Sequence, residues 1–178
     1  MNKRNYIKLA NKTASIQINE LKKIKKVFNN SFNKAVDLIL KCKGKVIFAG
    51  IGKSGLVARK ISATFSSVGI PSFFCDPAQA LHGDMGQIEK RDILVIFSYS
   101  GNTSELNNML KYANRFRIKI IGVASKPDSI LLKASDVKLI LPKVKEADPT
   151  GMVPTSSTSI TLLLGDCLAI TVMSQRNF

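Results

Sequence analysis

From Val46 onward the chain alternates short apolar runs with helix-length segments, and that alternation confines it to an α/β fold with a parallel sheet. Val46–Ala49, Ser72–Cys75, Ile93–Phe97, Lys119–Ala124 and Val137–Leu141 read as five strands. Ser54–Val68, a segment starting near Thr103, Ser129–Ala134 and a long stretch from Thr155–Ser159 to about Gln175 read as helices. Strands that are apolar throughout are buried on both faces, so helices must cover both sides of the sheet. The expected architecture is a three-layer αβα sandwich around five parallel strands. In such sheets a ligand sits beyond the carboxyl ends of the strands, near the point where strand order reverses. The loops after the first and third strands are therefore where chemistry is expected.

The segment ahead of the first strand, about residues 8–42, reads as helical. Ile16, Leu21, Ile24, Val27, Phe28, Phe32, Val36, Ile39 and Leu40 recur at mostly three- and four-residue spacing. Asn29–Ser31 is a natural break in the run, and Gly44 ends it. This quarter also concentrates charge: residues 1–45 hold 12 Lys/Arg against Glu20 and Asp37, out of a formal net charge of +15. A nucleic-acid or membrane-surface patch is one reading. Nothing there interleaves aromatics with base-reading side chains and no helix-turn-helix or zinc pattern follows, so a solvated helix face is the better one. Neither nucleic acid nor a membrane is expected as a partner, while the positive field favours anionic substrates.

Length and composition agree with one soluble domain. The chain has 178 residues and 45% apolar content, enough for a full core. The run Ile160–Met173 contains Asp166 and is too short to span a bilayer, so it reads as a buried helix. The basic start MNKRNYIKLANK has no apolar h-region, which points to the cytoplasm. Cys42, Cys75 and Cys167 are widely spaced and read as buried free thiols rather than as disulfide or zinc ligands.

Two loops stand out. Gly50-Ile51-Gly52-Lys53-Ser54-Gly55 follows the first strand and opens a helix. Glycines let the backbone approach an anion, and the helix end offers free N–H groups. The string satisfies G-x-G-x-x-G, and Asp76 after the second strand suits a ribose hydroxyl, so binding of a dinucleotide such as NAD competes here. A P-loop does not, because Ile47 stands where its first glycine is needed. The second loop, Ser98-Tyr99-Ser100-Gly101-Asn102-Thr103-Ser104-Glu105, carries more hydroxyls than helix capping needs. Ser98, Ser100, Gly101, Asn102 and Thr103 can ring the oxygens of a phosphate. A nicotinamide-binding fold has no use for a second phosphate cradle, which tilts the reading toward a phosphorylated small substrate. Two polar segments accompany these loops: Ala80-Leu81-His82-Gly83-Asp84-Met85-Gly86, with the chain's single histidine, and Pro154-Thr155-Ser156-Ser157-Thr158 ahead of the last helix.

Taken in order, GIGKSGLVARKISATFSSVGIPSFF, ALHGDMG, FSYSGNTSE and PTSST resemble the sugar isomerase (SIS) domain, and more narrowly the arabinose-5-phosphate isomerase family. The resemblance covers about residues 10–178. The lysine of the first loop and the HGD segment set it apart from SIS branches such as the hexulose-phosphate isomerases. It implies a flavodoxin-like five-stranded fold forming a homotetramer. It also implies interconversion of D-ribulose 5-phosphate and D-arabinose 5-phosphate, feeding synthesis of the lipopolysaccharide sugar Kdo. By motif, the family's catalytic positions fall on Lys53, His82, Glu105 and Glu146. Substrate and phosphate contacts fall on Gly52, Ser54, Ser98, Ser100, Gly101, Asn102, Thr103, Ser156 and Ser157.

Aldose–ketose isomerisation moves a proton between C1 and C2 through an enediolate, which needs a base and a cation or donor to hold the oxyanion. Lys53 suits the second role, while Glu105, Glu146 and His82 all suit the first. No cofactor or metal is required. Asp76, Gln79 and Asp148 depart from residues usual in the family. The resemblance also implies a His-Pro-Gly-Gly segment and paired CBS domains beyond Phe178, none of which lies within residues 1–178. The chain is then either a domain of a longer protein or a short member lacking that histidine. A non-catalytic SIS module that binds a phosphosugar as a sensor or partner domain is the alternative function.

Overall fold

The computed structural model describes residues 5–176; Lys3 and Arg4 of the basic start, and Phe178, lie outside the described residues. Five strands form one parallel sheet: β1 (Val46–Gly50), β2 (Ser72–Cys75), β3 (Ile93–Phe97), β4 (Lys119–Ala124) and β5 (Val137–Ile140), in the order β2-β1-β3-β4-β5. The expected αβα sandwich is present, with its order reversing between β1 and β3, whose partners run from Val46↔Ile93 to Gly50↔Phe97. Every residue of β1 and β3 is buried, as apolar strands covered on both faces must be.

Two cores result. On one face α2 (Asn30–Leu40), α3 (Lys53–Ser67) and α6 (Ser156–Gln175) pack on Phe48, Phe97 and Val123. On the other, α4 (Asn107–Phe116) and the short α5 (Ile130–Ala134) cover Ile47, Leu94, Ile96 and Ile120. Gly165 of α6 lets α3 approach closely, since a Cβ there would sit 2.4 Å from Ile61 Cδ1. Among the described residues α6 is the one helix long and apolar enough to cross a membrane; half of its most apolar window is buried in this core.

The expected long N-terminal helix is divided. α1 (Tyr6–Leu21) passes into a 3-10 segment at Lys22–Val27, and α2 begins after Asn29, whose side chain accepts from the Ser31 N–H at 2.8 Å. The apolar stripe read across this region is only partly covered. Val27, Phe32 and Ile39 are buried, but Phe28 is exposed, because the change of helix type rotates the face, and so is Leu40 at the last position of α2. The thiols also need correction: Cys75 is buried, whereas Cys42 and Cys167 are only half-buried.

Candidate functional site

The β1–α3 turn is built by glycine where the chain leaves the sheet. A Cβ on Gly50 would meet the Ser54 backbone at 2.9 Å, and one on Gly55 would meet the Gly50 carbonyl oxygen at 2.7 Å. Gly52 has φ +58°, ψ −127°, with open space where a Cβ would be, and caps α3 without a side-chain hydrogen bond. The start of α3 thus offers backbone N–H groups, flanked by Lys53 and Ser54, to whatever enters.

The β3–α4 loop is organised from within. The buried Ser98 hydroxyl accepts from the Gly101 N–H at 3.1 Å and shares a 2.8 Å hydrogen bond with Thr103 Oγ1. Gly101 (φ +68°) lies on Ser129, where a Cβ would stand 2.2 Å from Oγ. Asn102 Oδ1 accepts from the Ile130 N–H at 3.0 Å, tying the loop to α5. Ser98, Gly101, Asn102 and Thr103 therefore shape the loop, while Ser100, whose hydroxyl accepts from the Asn102 N–H at 3.3 Å, is exposed.

The third wall is the segment between β5 and α6. Glu146 Oε2 accepts from the Thr155 N–H at 2.8 Å, Thr155 Oγ1 at 3.0 Å and the Ser157 N–H at 3.3 Å. Partial burial pushes this carboxyl up, but the hydrogen bonds from Ser157 and Thr155 outweigh it and leave it below its ordinary value. Glu146 is thus an ionised cap on the N-terminus of α6. Beside it, Ser156 Oγ is fully buried without a hydrogen-bond partner.

These walls enclose a cavity of about 360 Å³ lined by Lys53, Ser54, Tyr99, Ser100, Glu146 and Ser157, and also by Val57, Thr158 and Thr161. It lies at the carboxyl ends of β1 and β3, where strand order reverses. Of the residues singled out from sequence, Lys53, Ser54, Ser100, Glu146 and Ser157 come together here. His82 and Glu105 do not line the cavity. Each lies exposed on a 3-10 turn, His82 after β2 and Glu105 after β3. Glu105 is held below the usual carboxylate range by its own backbone N–H and the Ser104 hydroxyl. Asp76 is also outside the cavity, and its carboxylate accepts from the Ala78 N–H at 2.9 Å. Among the described residues no cluster of three His, Cys, Asp or Glu side chains is placed to hold a metal.

Tyr99 went unremarked in the sequence beyond its place in the loop. Its ring lines the cavity and its hydroxyl binds the β5–α6 segment. An aromatic among hydroxyls was the available signal.

Comparison with known proteins bears on this cavity. The SIS domain family model matches residues 39–171. The arabinose 5-phosphate isomerase KdsD of Francisella tularensis is 43% identical over 176 residues, covering 97% of this chain and 54% of that protein. The enzyme of the same name from Pseudomonas aeruginosa is 42% identical over 173 residues, covering 97% of this chain and 53% of its own length. The chain thus spans about half the length of these curated relatives. Among solved structures, E. coli CFT073 c3406 in complex with arabinose 5-phosphate superposes with a TM-score of 0.95 at 31% identity, covering 100% of this chain and 95% of that one.

Proposed function

The chain belongs to the SIS domain family, and within it we propose that it interconverts D-arabinose 5-phosphate and D-ribulose 5-phosphate through an enediolate. The observation that carries this reading is the meeting of Lys53 and Glu146 in one cavity with Ser54, Ser100 and Ser157. The kinship with arabinose 5-phosphate isomerases, and with a protein solved in complex with that sugar phosphate, supports the choice of substrate.

In the proposed mechanism the phosphate sits at the start of α3, held by backbone N–H groups and the hydroxyls of Ser54 and Ser100, within the rigid loop set by Ser98, Gly101, Asn102 and Thr103. That places the other end of the sugar toward α6. Glu146, ionised and facing the cavity, takes the proton from C2 of the aldose and returns it at C1, while the O2 hydroxyl proton passes to O1. The Lys53 ammonium neutralises the enediolate oxygen as charge builds there. Ser157 orients a sugar hydroxyl.

We further propose a cytoplasmic homotetramer supplying Kdo and lipopolysaccharide synthesis. Exposed Leu56, Leu81, Met152 and Val153, on segments at the carboxyl edge of the sheet, support association. His82 and Glu105 enter the reaction through that assembly, in which an exposed side chain of one copy reaches the cavity of the next.

The deciding experiment follows arabinose 5-phosphate with the protein in deuterated water. Deuterium appears at the carbon next to the carbonyl if the reading is right. Tight binding without exchange, at high protein concentration, would make the chain a phosphosugar sensor instead.

A further inference from the structure

The segment that carries Glu146 has no regular secondary structure, yet side chains from elsewhere in the chain hold four of its backbone polar groups. Residues 142–146 run extended after β5, with Pro142, Val144 and Glu146 half-buried and Lys143 and Lys145 exposed. On the inner side, the Tyr99 hydroxyl donates to the Pro142 carbonyl at 3.1 Å and accepts from the Val144 N–H at 2.9 Å. On the outer side, Glu20 Oε2 of α1 accepts from the Lys145 N–H at 3.0 Å, and Lys23 Nζ reaches the Lys143 carbonyl at 3.5 Å. Lys23 also donates to Glu20 Oε2 at 2.5 Å, so the two outer contacts form one unit. α1 is anchored in turn to α6 by Ser159 Oγ, which donates to Gln17 Oε1 at 3.0 Å.

We propose that Tyr99 and Glu20 are positioning residues that grip opposite faces of the 142–146 segment and so fix the Glu146 carboxylate in the cavity. The proposal rests on the isomerase reading, in which Glu146 moves the proton. It assigns a part in catalysis to α1, which lies wholly outside the stretch matched by the family model. It also gives Tyr99 two connections. Its backbone belongs to the phosphate loop, where its carbonyl accepts from Ser125 Oγ at 2.8 Å. Its hydroxyl sets the height of the proton-transferring segment. One side chain thereby fixes the distance between the two ends of the bound sugar phosphate.

A base displaced by a fraction of an ångström loses turnover while the phosphate cradle keeps its affinity. Steady-state kinetics on arabinose 5-phosphate with the full chain, comparing Tyr99→Phe, Glu20→Ala, Glu20→Gln and Glu146→Gln, tests this. Tyr99→Phe and Glu20→Ala are each expected to lower kcat on the order of 10-fold with KM within about twofold. Glu20→Gln, which keeps a carbonyl to accept from Lys145, restores most of the loss seen with alanine. Introduced into Glu146→Gln, neither Tyr99→Phe nor Glu20→Ala lowers the residual rate further. Equal kcat in wild type, Tyr99→Phe and Glu20→Ala, with Glu146→Gln impaired, overturns the positioning roles and leaves the isomerase reading intact. Full activity in Glu146→Gln, or none in wild type, overturns the reading beneath them. If Tyr99→Phe does not fold, the Glu20→Ala and Glu20→Gln pair decides alone.

Discussion

Glu146 Oε2 stands 2.8 Å from the Thr155 backbone nitrogen, so a carboxylate from a preceding loop caps α6, where the N-cap Thr155 makes no side-chain cap of its own. The negative charge at the N-terminus of a long core helix joins the architecture to the proposed chemistry.

Glu146→Gln therefore has two expected effects. The cap survives in part through the amide carbonyl, and stability falls by about 1 kcal/mol. Turnover falls ~10²- to 10⁴-fold, as expected when a general base is removed. Urea titration and the isomerase assay measure the two separately, and full turnover in this variant contradicts the assignment.

Two carboxyls make folding sensitive to acid. Lys23, hydrogen-bonded to Glu20, holds that group below its ordinary value of 4.5. Glu146 also ends below 4.5, its hydrogen bonds from Ser157 and Thr155 outweighing the opposing effect of burial. Both bind a proton more weakly folded than unfolded. Their stabilisation is present above pH 4.5 and lost as pH falls through the lowered folded values. The urea midpoint is expected to drop between about pH 5 and 3, and to drop less steeply in Glu20→Gln and Glu146→Gln.

Gly101→Ala is expected to damage the phosphate loop. The position has φ +68°, and the new methyl would sit 2.2 Å from Ser129 Oγ. Strain and the displaced contact together cost about 1–3 kcal/mol. Calorimetric titration with arabinose 5-phosphate should show weaker binding, along with a lower melting temperature. Unchanged affinity would argue that the phosphate lies elsewhere.

The Cys75 thiol is pushed up to about 11 by burial and by Asp84 and Asp76 nearby. It is a thiol rather than a thiolate at pH 8 and should not react with iodoacetamide in the native protein. Peptide mass spectrometry of labelled native and unfolded protein checks this, with Cys75 labelled only after unfolding.

The sheet and its switch point were legible because strands buried on both faces leave unbroken apolar runs such as ILVIF, and glycines mark where β1 turns into α3. The cavity was half legible. Lys53, Ser54 and Ser100 lie in loops whose composition declares them, and Glu146 and Ser157 were found by motif resemblance. What spacing cannot express is which hydroxyls turn inward. Ser98 and Thr103 share a hydrogen bond at 2.8 Å, a fact of loop geometry that composition does not carry. The exposure of Phe28 was hidden for a similar reason, since a 3-10 segment shifts the helical phase without altering the pattern of apolar residues. Tyr99 was missed because its role depends on the β5–α6 segment, more than forty residues away in sequence.

The contact between Gly165 and Ile61 lies a little over two turns into both α6 and α3, counted from ends that meet at the cavity. Because α3 and α6 also bury Ala58, Phe65, Ile160 and Leu164 in the same core, they hold their tips at a set span, and the gauge of the cavity between Lys53 and Ser157 is a property of how the two helices pack. Any widening at the tips must first pry apart the close approach of Gly165 to Ile61, so enlarging the cavity between Lys53 and Ser157 means repacking the core beneath it.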